Sequence, residues 1–304
     1  MNVVSCRAQK LACVILAHAD PVHLHRLIEA LDPFPIFLHI DARTPDGLFD
    51  AMTAGLPSRC VLLKRTATGW AQWGLVAAEL EGYRAALAST EATHVALFSG
   101  SDYPLATTDD IATFLEGYAR ESFAEVNELP YVEWGKSGGY SRLRYRHWGY
   151  GKRMLRLPIP RRLPADIIFT GGSQSKILAR DHARAVVQLA EERKDLVQFW
   201  RRTWVPDETF VYSLLNSPGL GLVPCWKAQL VPTNLWWIGW GSTPRKSPPW
   251  LGLEHLELLL KGRQGEVGRA PTLFARKFAT DFSTPVLDSL DARFSLRPNS
   301  VRPV

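Results

Sequence analysis

The sequence predicts an α/β fold built around a largely parallel sheet. In the N-terminal half, short apolar runs alternate with stretches of helical spacing, which is the pattern of βα units. Three predicted strands also end in polar clusters, around Asp20, Asp41 and Asp102. Ligands of open α/β sheets bind outside the carboxyl ends of the strands, so we expect a site at this edge. The alternative for each cluster is that it only caps the helix that follows.

Apolar periodicity assigns the elements of the N-terminal half in order. We predict strands at Leu11–Ala17, Ile36–Ile40, Cys60–Leu63 and Thr93–Phe98, and helices at His23–Leu31, Trp70–Ala88 and Thr108–Tyr118. The first strand contains only apolar residues, which indicates burial on both faces. Thr107 or Thr108 is a suitable N-cap for the last of these helices.

The second half of the sequence is less regular. We predict a helix from Ser173 or Ser175 to Asp195, a helix beginning at Pro206, a loop rich in Trp, Gly and Pro over Trp236–Trp250, and helices at Glu254–Lys261 and Pro285–Phe294. Proline suits a first helical turn, and acids suit the positive end of the helix dipole. No composition break forces a boundary, so we expect one domain over residues 1–294 and a frayed tail over residues 295–304.

The composition is that of an ordinary globular protein. Of the 304 residues, 46% are hydrophobic and 22% are charged, which excludes wholesale disorder. No apolar stretch reaches the roughly 18 to 20 residues of a membrane span. Four scattered cysteines fit neither a disulfide framework nor a C-x-x-C metal site. We therefore expect the chain to work in the cytosol.

The net charge of +6 is concentrated in one segment. Residues 136–162 contain nine Lys or Arg and no Asp or Glu, and subtracting these nine charges leaves −3 on the rest of the chain. The segment is either a solvated surface loop or a contact for an anionic ligand, a membrane surface or nucleic acid. Its Gly and Pro residues favour a mobile loop over a groove-reading helix, so we expect no binding to duplex nucleic acid.

Several common catalytic motifs are absent from the sequence. It contains no P-loop, no G-x-G-x-x-G after a strand, no G-x-S-x-G elbow and no H-E-x-x-H. It also lacks a D-x-D triplet, the paired acids with which many sugar-nucleotide enzymes hold a metal-bound diphosphate. Lys and Arg would then have to neutralise a diphosphate, and the pairs Arg245-Lys246 and Arg276-Lys277 are candidates.

Six motifs occur in an order that resembles a known family. They are His39-Ile-Asp41, Trp70-Ala-Gln-Trp73, Phe98-Ser-Gly-Ser-Asp-Tyr-Pro-Leu105, Gly172-Ser173, Pro206-Asp-Glu208 and Leu273-Phe-Ala-Arg-Lys-Phe278. Together they resemble the core-2/I-branching β-1,6-N-acetylglucosaminyltransferases and peptide O-xylosyltransferases of glycosyltransferase family 14, in a compact bacterial form. The resemblance covers residues 11–280. It implies an A-type glycosyltransferase fold (Rossmann-like, with a mostly parallel central sheet flanked by helices), a UDP-sugar donor, inversion at the anomeric carbon and no metal.

The resemblance also implies roles for individual residues. Glu208 matches the catalytic base, and an inverting transfer needs one carboxylate to take the proton of the attacking hydroxyl. Lys277 matches a lysine that binds the diphosphate, where a fixed cation stabilises the charge that develops on the leaving UDP. Arg245, Lys246 and Arg276 are further candidates for this task. The alternative is that Glu208 only begins a helix and Lys277 only lies on the surface.

The remaining candidates are divided between donor and acceptor. On the donor-nucleoside side they are His39, Asp41 and Trp70; on the acceptor side they are Asp102, Glu128, Arg142 and Trp240. The ring of Trp70 could stack on uracil or belong to the core, and Trp240 could stack on the C–H face of a sugar. Trp236 and Gly239 differ from the residues that relatives often carry, which leaves the acceptor class open.

The favoured function is metal-independent, inverting transfer of N-acetylglucosamine from a UDP-sugar to a hydroxyl of a glycan, lipid-linked or peptide acceptor. The basic segment would suit an anionic acceptor or contact with the inner face of a membrane. One alternative is UDP-xylose-dependent transfer to a serine hydroxyl. An alternative from another class is a non-catalytic module that uses residues 136–162 to bind an anionic ligand or nucleic acid.

Overall fold

The structure is a computed structural model that describes residues 10–150, 153–221, 226–240, 247–264 and 270–297. The strands in these ranges are β1 (Leu11–Ala17), β2 (Ile36–Ile40), β3 (Cys60–Leu62), β4 (His94–Ser99), β5 (Asp102–Pro104), β6 (Ser122–Phe123), β7 (Val126–Glu128), β8 (Tyr145–Tyr150), β9 (Arg153–Pro160), β10 (Thr170–Gly172), β11 (Lys176–Ala179), β12 (Leu230–Val231), β13 (Trp236–Ile238) and β14 (Phe274–Arg276). The α-helices are α1 (Pro21–Ala30), α2 (Asp46–Thr53), α3 (Trp73–Ser89), α4 (Thr108–Glu116), α5 (Tyr140–Arg144), α6 (Arg180–Glu192), α7 (Lys194–Trp200), α8 (Phe210–Leu215), α9 (Leu256–Gln264) and α10 (Thr280–Phe294).

Seven of these strands form the central sheet, in the order β12-β6-β11-β4-β1-β2-β3. β4, β1, β2 and β3 run parallel, with Val14 opposite Phe37 on one side and Leu97 on the other. β11 runs antiparallel to both β4 and β6, and β12 is parallel to β6. The prediction of an α/β fold with a mostly parallel central sheet flanked by helices is confirmed.

Different helices cover the two faces of this sheet. Cys13 and Ile15 of β1 pack in a cluster with α1, α4, α9 and α10, whereas Ala12 and Val14 pack in a cluster with α3, α6, α7 and α8. Every residue of β1 is buried, which explains why the strand contains no polar residue. Gly82 lets α3 approach β1 closely, because a Cβ there would lie 2.3 Å from Cγ1 of Val14.

A second, three-stranded sheet in the order β13-β14-β5 lies next to the end of β4. β5 follows β4 after a two-residue turn, and Arg276 of β14 lies opposite Asp102 of β5. β13 runs parallel to β14, with Ile238 opposite Arg276. This small sheet therefore brings C-terminal residues to the carboxyl end of a central strand.

The polar cluster after β1 fixes the start of two helices. The Asp20 carboxylate caps α1 by accepting from the backbone nitrogen of His23 at 3.0 Å. It also accepts from the backbone nitrogen and hydroxyl of Thr280, the first residue of α10, at 2.7 and 2.6 Å. Asp20 is therefore a helix cap, as the alternative reading of this cluster predicted, and it also joins the start of α1 to the start of α10.

The elements predicted for the N-terminal half agree with the structure to within three residues at each end, whereas α2 and β5 are not among the predictions. Thr107 is the N-cap of α4, because its hydroxyl accepts from the backbone nitrogen of Asp110 at 3.1 Å. Trp70 does not begin α3. It lies in a turn in front of the helix, next to Ala71, whose φ is +59°.

Several predictions for the second half are wrong. The stretch from Ser173 to Ala179 is not helical, because the buried run of β11 completes the central sheet and α6 begins only at Arg180. Pairing with the neighbouring strands of a sheet overrides the weak local preference of such a short run for a helix. Pro206 begins a 3-10 turn that ends at Glu208, and α8 follows it. The predicted loop after Trp236 starts with strand β13, and residues 241–246 of that loop lie outside the described residues.

The C-terminal helix begins earlier and the tail is more ordered than predicted. α10 starts at Thr280 and contains Pro285 in its interior. Leu296 is buried in the core, and Arg297 donates to Asp291 at 2.5 Å, so residues 295–297 are not frayed. Residues 298–304 lie outside the described residues, and the single domain over residues 1–294 stays a prediction.

The basic segment is not the mobile loop that its Gly and Pro residues predicted. It folds into α5 and an antiparallel hairpin of β8 and β9, with a bulge between Tyr145 and Arg146. The Arg161 guanidinium fixes the base of the hairpin by donating to the carbonyl oxygens of Leu143 and Phe199 at 2.7 Å each.

Within the described ranges, no helix combines the length and the apolar character needed to cross a membrane.

An ion pair is buried between α3 and the central sheet. Lys176 Nζ of β11 lies 2.8 Å from Glu79 Oε1 of α3, and the two side chains are 0% and 1% exposed. The hydroxyl of Tyr83 donates to the same carboxylate oxygen at 2.7 Å. Since each charge is stable in the core only beside the other, the fold depends on both residues.

We expect Lys176→Met to lower the free energy of unfolding by about 3 to 5 kcal/mol, because it leaves the Glu79 carboxylate buried without a cation. Urea unfolding followed by circular dichroism measures this. The matched control is Arg184→Met, which breaks an exposed pair with Asp181 and should change the free energy by no more than about 1 kcal/mol. Equal losses in the two variants would contradict the proposed dependence on the buried pair.

Candidate active site

A cleft of about 820 Å³ opens at the carboxyl ends of β1, β2 and β4. This volume lies within the range of small-molecule sites, roughly 300 to 1,000 Å³. The residues of the predicted site that line the cleft are Asp41, Trp70, Glu208, Trp240, Arg276 and Lys277. They come from five separate parts of the chain, and the predicted base and the predicted diphosphate ligand therefore share one cavity.

Other predicted residues lie behind or beside the cleft surface. His39 is buried, and its Nε2 accepts from the backbone nitrogen of Thr66 at 3.0 Å, so it holds a loop rather than a ligand. Asp102 is 0% exposed, which does not fit the predicted direct contact with an acceptor. Glu128 is exposed outside the cleft and pairs with Lys227 at 3.0 Å. Arg245 and Lys246 lie outside the described residues.

The carboxylate of Asp41, just after β2, is held by a dense set of hydrogen bonds. It accepts from the backbone and side chain of Arg43, at 2.8 Å in each case, and from the hydroxyl of Thr68 at 2.6 Å. Burial alone would raise the pKa of Asp41, but these hydrogen bonds outweigh it and hold the pKa well below its usual range. Asp41 is therefore a fixed anion that positions Arg43 and Thr68 in the cleft wall.

Trp70 projects from the turn between β3 and α3. Its side chain is 58% exposed, which excludes the alternative of a core tryptophan. The ring contacts Trp204 edge-to-face, with centroids 6.5 Å apart, and lines the cleft beside Asp41. An exposed ring fixed on one edge leaves a flat face available for stacking.

Two adjacent carboxylates, Asp207 and Glu208, lie in the 3-10 turn that precedes α8. Val205, in front of the turn, has a φ of +53°, which is costly for a β-branched residue and is a conformation that concentrates at functional sites. Burial raises the pKa of Asp207 to about 7, and the neighbouring charge of Glu208 adds to this rise. Oδ1 of Asp207 is buried and has no hydrogen-bond partner within the described part of the chain.

Glu208 is paired with Arg142. Nη1 of Arg142, from α5, donates to Oε2 of Glu208 at 2.5 Å, and its guanidinium lies 3.9 Å from the ring centroid of Trp134. Burial raises the pKa of Glu208, while the charge and hydrogen bond of Arg142 oppose the rise. A carboxyl group whose pKa is raised by burial and that is hydrogen-bonded to a cation suits a general base.

Arg276 and Lys277 bring positive charge to the cleft lining. Arg276 is held from behind, because its Nη1 donates to the buried Asp102 at 3.2 Å. Lys277 donates to the hydroxyl of Ser247 at 3.1 Å, and its Nζ lies 4.0 Å from the ring centroid of Trp250. Burial and the charge of Arg276 lower the pKa of Lys277.

The sequence-based prediction missed four residues of this site. Arg43 and Thr68 bind Asp41, and Trp134 and Trp204 surround Arg142. Arg43 could have been found from the Asp-x-Arg spacing, which allows the Asp carboxylate to bind the backbone two residues ahead. The other three come from distant segments and have no local signal.

In the described ranges, no group of three His, Cys, Asp or Glu side chains converges so that it could hold a metal ion.

The fold and the cleft define an α/β protein with a large polar site at the carboxyl ends of its central strands. The chain belongs to the core-2/I-branching enzyme family, whose family model matches residues 24–257. The resemblance of its motifs to this family of glycosyltransferases is thereby confirmed. The A-type fold that the resemblance implies agrees with the mostly parallel, helix-flanked sheet.

Curated relatives include two kinds of xylosyltransferase. Xylosyltransferase 2 of Mus musculus is 29% identical over 207 residues, which are 64% of this chain and 22% of that protein. For xylosyltransferase 2 of Homo sapiens the identity is 27% over 206 residues, with the same shares. Xylosyltransferase 1 of Mus musculus is 28% identical over 210 residues, which are 65% of this chain and 20% of that protein. The chain therefore spans only about a fifth of the length of these relatives.

One solved structure with a partial likeness is HddC from Yersinia pseudotuberculosis. It is 12% identical, and the match covers 57% of this chain and 78% of that chain with a TM-score of 0.28. A likeness of this size bears on neither the fold nor the function.

We expect the stability of the Asp207→Asn variant, relative to the unchanged protein, to increase as the pH rises from about 4 to about 8. Between about pH 4 and pH 7, Asp207 keeps its proton in the folded protein but has lost it in the unfolded chain. Raising the pH through this range therefore stabilises the unfolded state and lowers the free energy of unfolding of the unchanged protein. Because asparagine does not ionise, the variant lacks this effect. Its free energy of unfolding minus that of the unchanged protein should therefore grow by roughly 1 to 4 kcal/mol over this range. Urea titrations at several pH values measure it.

Asp195→Asn is the matched control, because hydrogen bonds from Arg193 lower rather than raise the pKa of Asp195. Its stability relative to the unchanged protein should not increase over the same pH range. If the Asp207→Asn difference stays flat with pH, the raised pKa is wrong.

Proposed function

We propose that this chain is a metal-independent, inverting glycosyltransferase that moves N-acetylglucosamine from UDP-N-acetylglucosamine to an acceptor hydroxyl. The observation that carries the proposal is that Glu208 and Lys277 open onto the same cleft. A base at one part of the lining and cations at another are what transfer of a sugar away from a diphosphate requires. Membership of an enzyme family argues against the alternative of a non-catalytic binding module.

In the proposed reaction, an acceptor hydroxyl attacks the anomeric carbon of the donor. The new glycosidic bond forms as the bond between that carbon and the β-phosphate oxygen breaks, and the electron pair leaves with UDP. Glu208 takes the hydroxyl proton, and general-base help of this kind contributes roughly 10²- to 10⁴-fold. Arg142 keeps Glu208 ionised and oriented through the hydrogen bond between Nη1 and Oε2.

The departing diphosphate would be stabilised by Arg276 and Lys277. Among the described residues, the hydrogen bond of Arg276 to buried Asp102 uses only Nη1, so the other guanidinium nitrogens can donate to a phosphate. Lys277 adds a point charge whose lowered pKa reflects its burial beside Arg276. Two fixed cations in a partly buried cleft support transfer without a metal. Arg245 and Lys246 stay further candidates for the same task.

The nucleoside would lie against Trp70 and the wall built by Asp41. The oxygens of Asp41 are already engaged by Arg43 and Thr68, so we expect Asp41 to act through these two residues. Trp240 is 49% exposed at the cleft and could carry the acceptor sugar on its ring. The acceptor hydroxyl could belong to a glycan, a lipid-linked sugar or a peptide, in the cytosol expected from the sequence.

A second candidate is transfer of xylose to a serine hydroxyl. The observation that favours it is that the curated relatives described above are named xylosyltransferases. Calorimetric titration with UDP-N-acetylglucosamine and UDP-xylose, followed by product analysis with each donor, separates the two. Tighter binding and faster turnover with UDP-xylose would replace the first candidate by the second.

We expect Glu208→Gln to lower the turnover of the donor by roughly 10²- to 10⁴-fold, because glutamine cannot take the hydroxyl proton. Binding of UDP should change little, since the predicted role of Glu208 is in the proton transfer. Turnover is measured by release of UDP and binding by calorimetry. Glu116→Gln, on the exposed face of α4, is the matched control; normal turnover by the Glu208→Gln variant would show that another group is the base.

We expect Lys277→Met to weaken UDP binding by roughly tenfold or more, because a charged hydrogen bond to phosphate contributes about 1.5 to 3 kcal/mol. Lys261→Met, at an exposed position on α9, should leave it unchanged. Calorimetry with UDP alone, with and without EDTA, gives the measurement. A loss of affinity or turnover in EDTA that manganese restores would contradict a metal-independent reaction.

A further inference from the structure

The hairpin of β8 and β9 exposes an apolar face. Trp148 lies opposite Leu155, and Arg146 opposite Leu157, so these residues point to the same side of the two strands. Trp148, Leu155, Leu157 and Ile159 are 50%, 50%, 36% and 50% exposed. Single exposed apolar residues are ordinary on a protein surface, but a group of four on one face indicates an interaction site.

Positive charge surrounds this apolar face. Arg146 lies on the face itself, Arg144 and Arg162 are exposed at the base of the hairpin, and residues 136–162 contain no acidic residue. The guanidinium of Arg202, from the end of α7, lies 3.7 Å from the ring centroid of Trp148. The partner of this face must therefore accept aliphatic and aromatic side chains and also carry negative charge.

The opposite face of the hairpin is attached to the body of the molecule. His147 is buried, its backbone nitrogen donates to the carbonyl oxygen of Arg202 at 2.9 Å, and its ring stacks on Trp204. Together with the hydrogen bonds of Arg161 at its base, these contacts fix the hairpin with its apolar face outward. These contacts therefore determine which face of the hairpin is turned outward.

We propose that this face of the β8–β9 hairpin binds the surface of a bilayer that contains anionic lipids. Tryptophan and aliphatic side chains enter the boundary between headgroups and acyl chains, while arginines bind the lipid phosphates. Nucleic acid would leave the leucines and the isoleucine without a partner. A second copy of this chain, facing the first through the same surface, would bring the arginines of both together.

The hairpin lies next to the carboxylate part of the cleft. α5 leads directly into β8 and carries Arg142, the partner of Glu208. Further along β8, His147 stacks on Trp204, which contacts Trp70 of the cleft lining. If the proposed function is correct, membrane binding through this face means that the acceptor hydroxyl reaches the cleft from the bilayer surface.

The test is sedimentation of the whole chain with vesicles of phosphatidylcholine, with and without phosphatidylglycerol. We expect binding to the mixed vesicles and its loss in high salt. The triple variant Leu155→Ser, Leu157→Ser, Ile159→Ser should have an affinity for the mixed vesicles that is lower by a factor of roughly ten or more. The double variant Arg146→Gln, Arg162→Gln should lose about fivefold in affinity for each charge removed. The matched control is Leu253→Ser with Leu258→Ser, two exposed leucines outside the hairpin.

Near-ultraviolet circular dichroism and UDP titration show whether each variant is folded, and neither depends on membrane binding. The proposal is wrong if the unchanged chain ignores both kinds of vesicle, or if it binds neutral vesicles equally well. It is also wrong if a folded triple variant still sediments normally, or if the face instead causes self-association that the triple variant abolishes. Because no donor or acceptor is present, a failure here is distinct from a failure of the proposed function.

Discussion

The arrangement of the cleft depends on one buried carboxylate, that of Asp102. It accepts from the backbone nitrogen and the hydroxyl of Ser99 at the end of β4, each at 2.9 Å, and from the indole nitrogen of Trp236 at 3.2 Å. It also binds Arg276 of β14, so a single side chain joins the central sheet to both C-terminal strands. A buried anion is stable only when its oxygens are fully engaged. The need to satisfy Asp102 therefore also fixes where the cations Arg276 and Lys277 meet the ends of the parallel strands.

Two neighbouring carboxyl groups of the cleft, those of Asp207 and Glu208, are less acidic than in water. Burial raises the pKa of both residues, and the negative charge of Glu208 adds to the rise for Asp207. Arg142 limits this effect for Glu208 alone, since no hydrogen bond from Arg142 reaches Asp207 among the described contacts. The two neighbours are therefore made chemically different by one arginine. Of the two, Glu208 is the one that is paired with a cation and partly exposed in the cleft, which is why the two acids are not interchangeable.

The sequence predicts most of the central sheet because that sheet is specified locally. β1 and β2 are short apolar runs whose burial on both faces needs no other information, and Thr107 and Asp20 are caps that act over three residues. The sequence predicts a helix where the structure has β11, because the strand character of β11 comes from pairing with β4, about eighty residues earlier. The same reason explains the missed site residues. Trp134 and Trp204 acquire their position only when distant segments pack around Arg142, and no periodicity in the sequence encodes such contacts.

Adjacent cations in a sequence give no indication of whether they serve the same ligand, because successive side chains of a strand point to opposite sides. Arg276 is the last residue of β14 and Lys277 lies just beyond it, where the strand alternation no longer applies. Asp102 binds Arg276 from inside the molecule, while Ser247 and Trp250 hold Lys277 from another segment. Both side chains consequently line the same cleft although they are held by different parts of the chain. Their joint position follows from the tertiary contacts of each, and it is this convergence, rather than the Arg-Lys dipeptide, that makes a shared anionic ligand chemically reasonable.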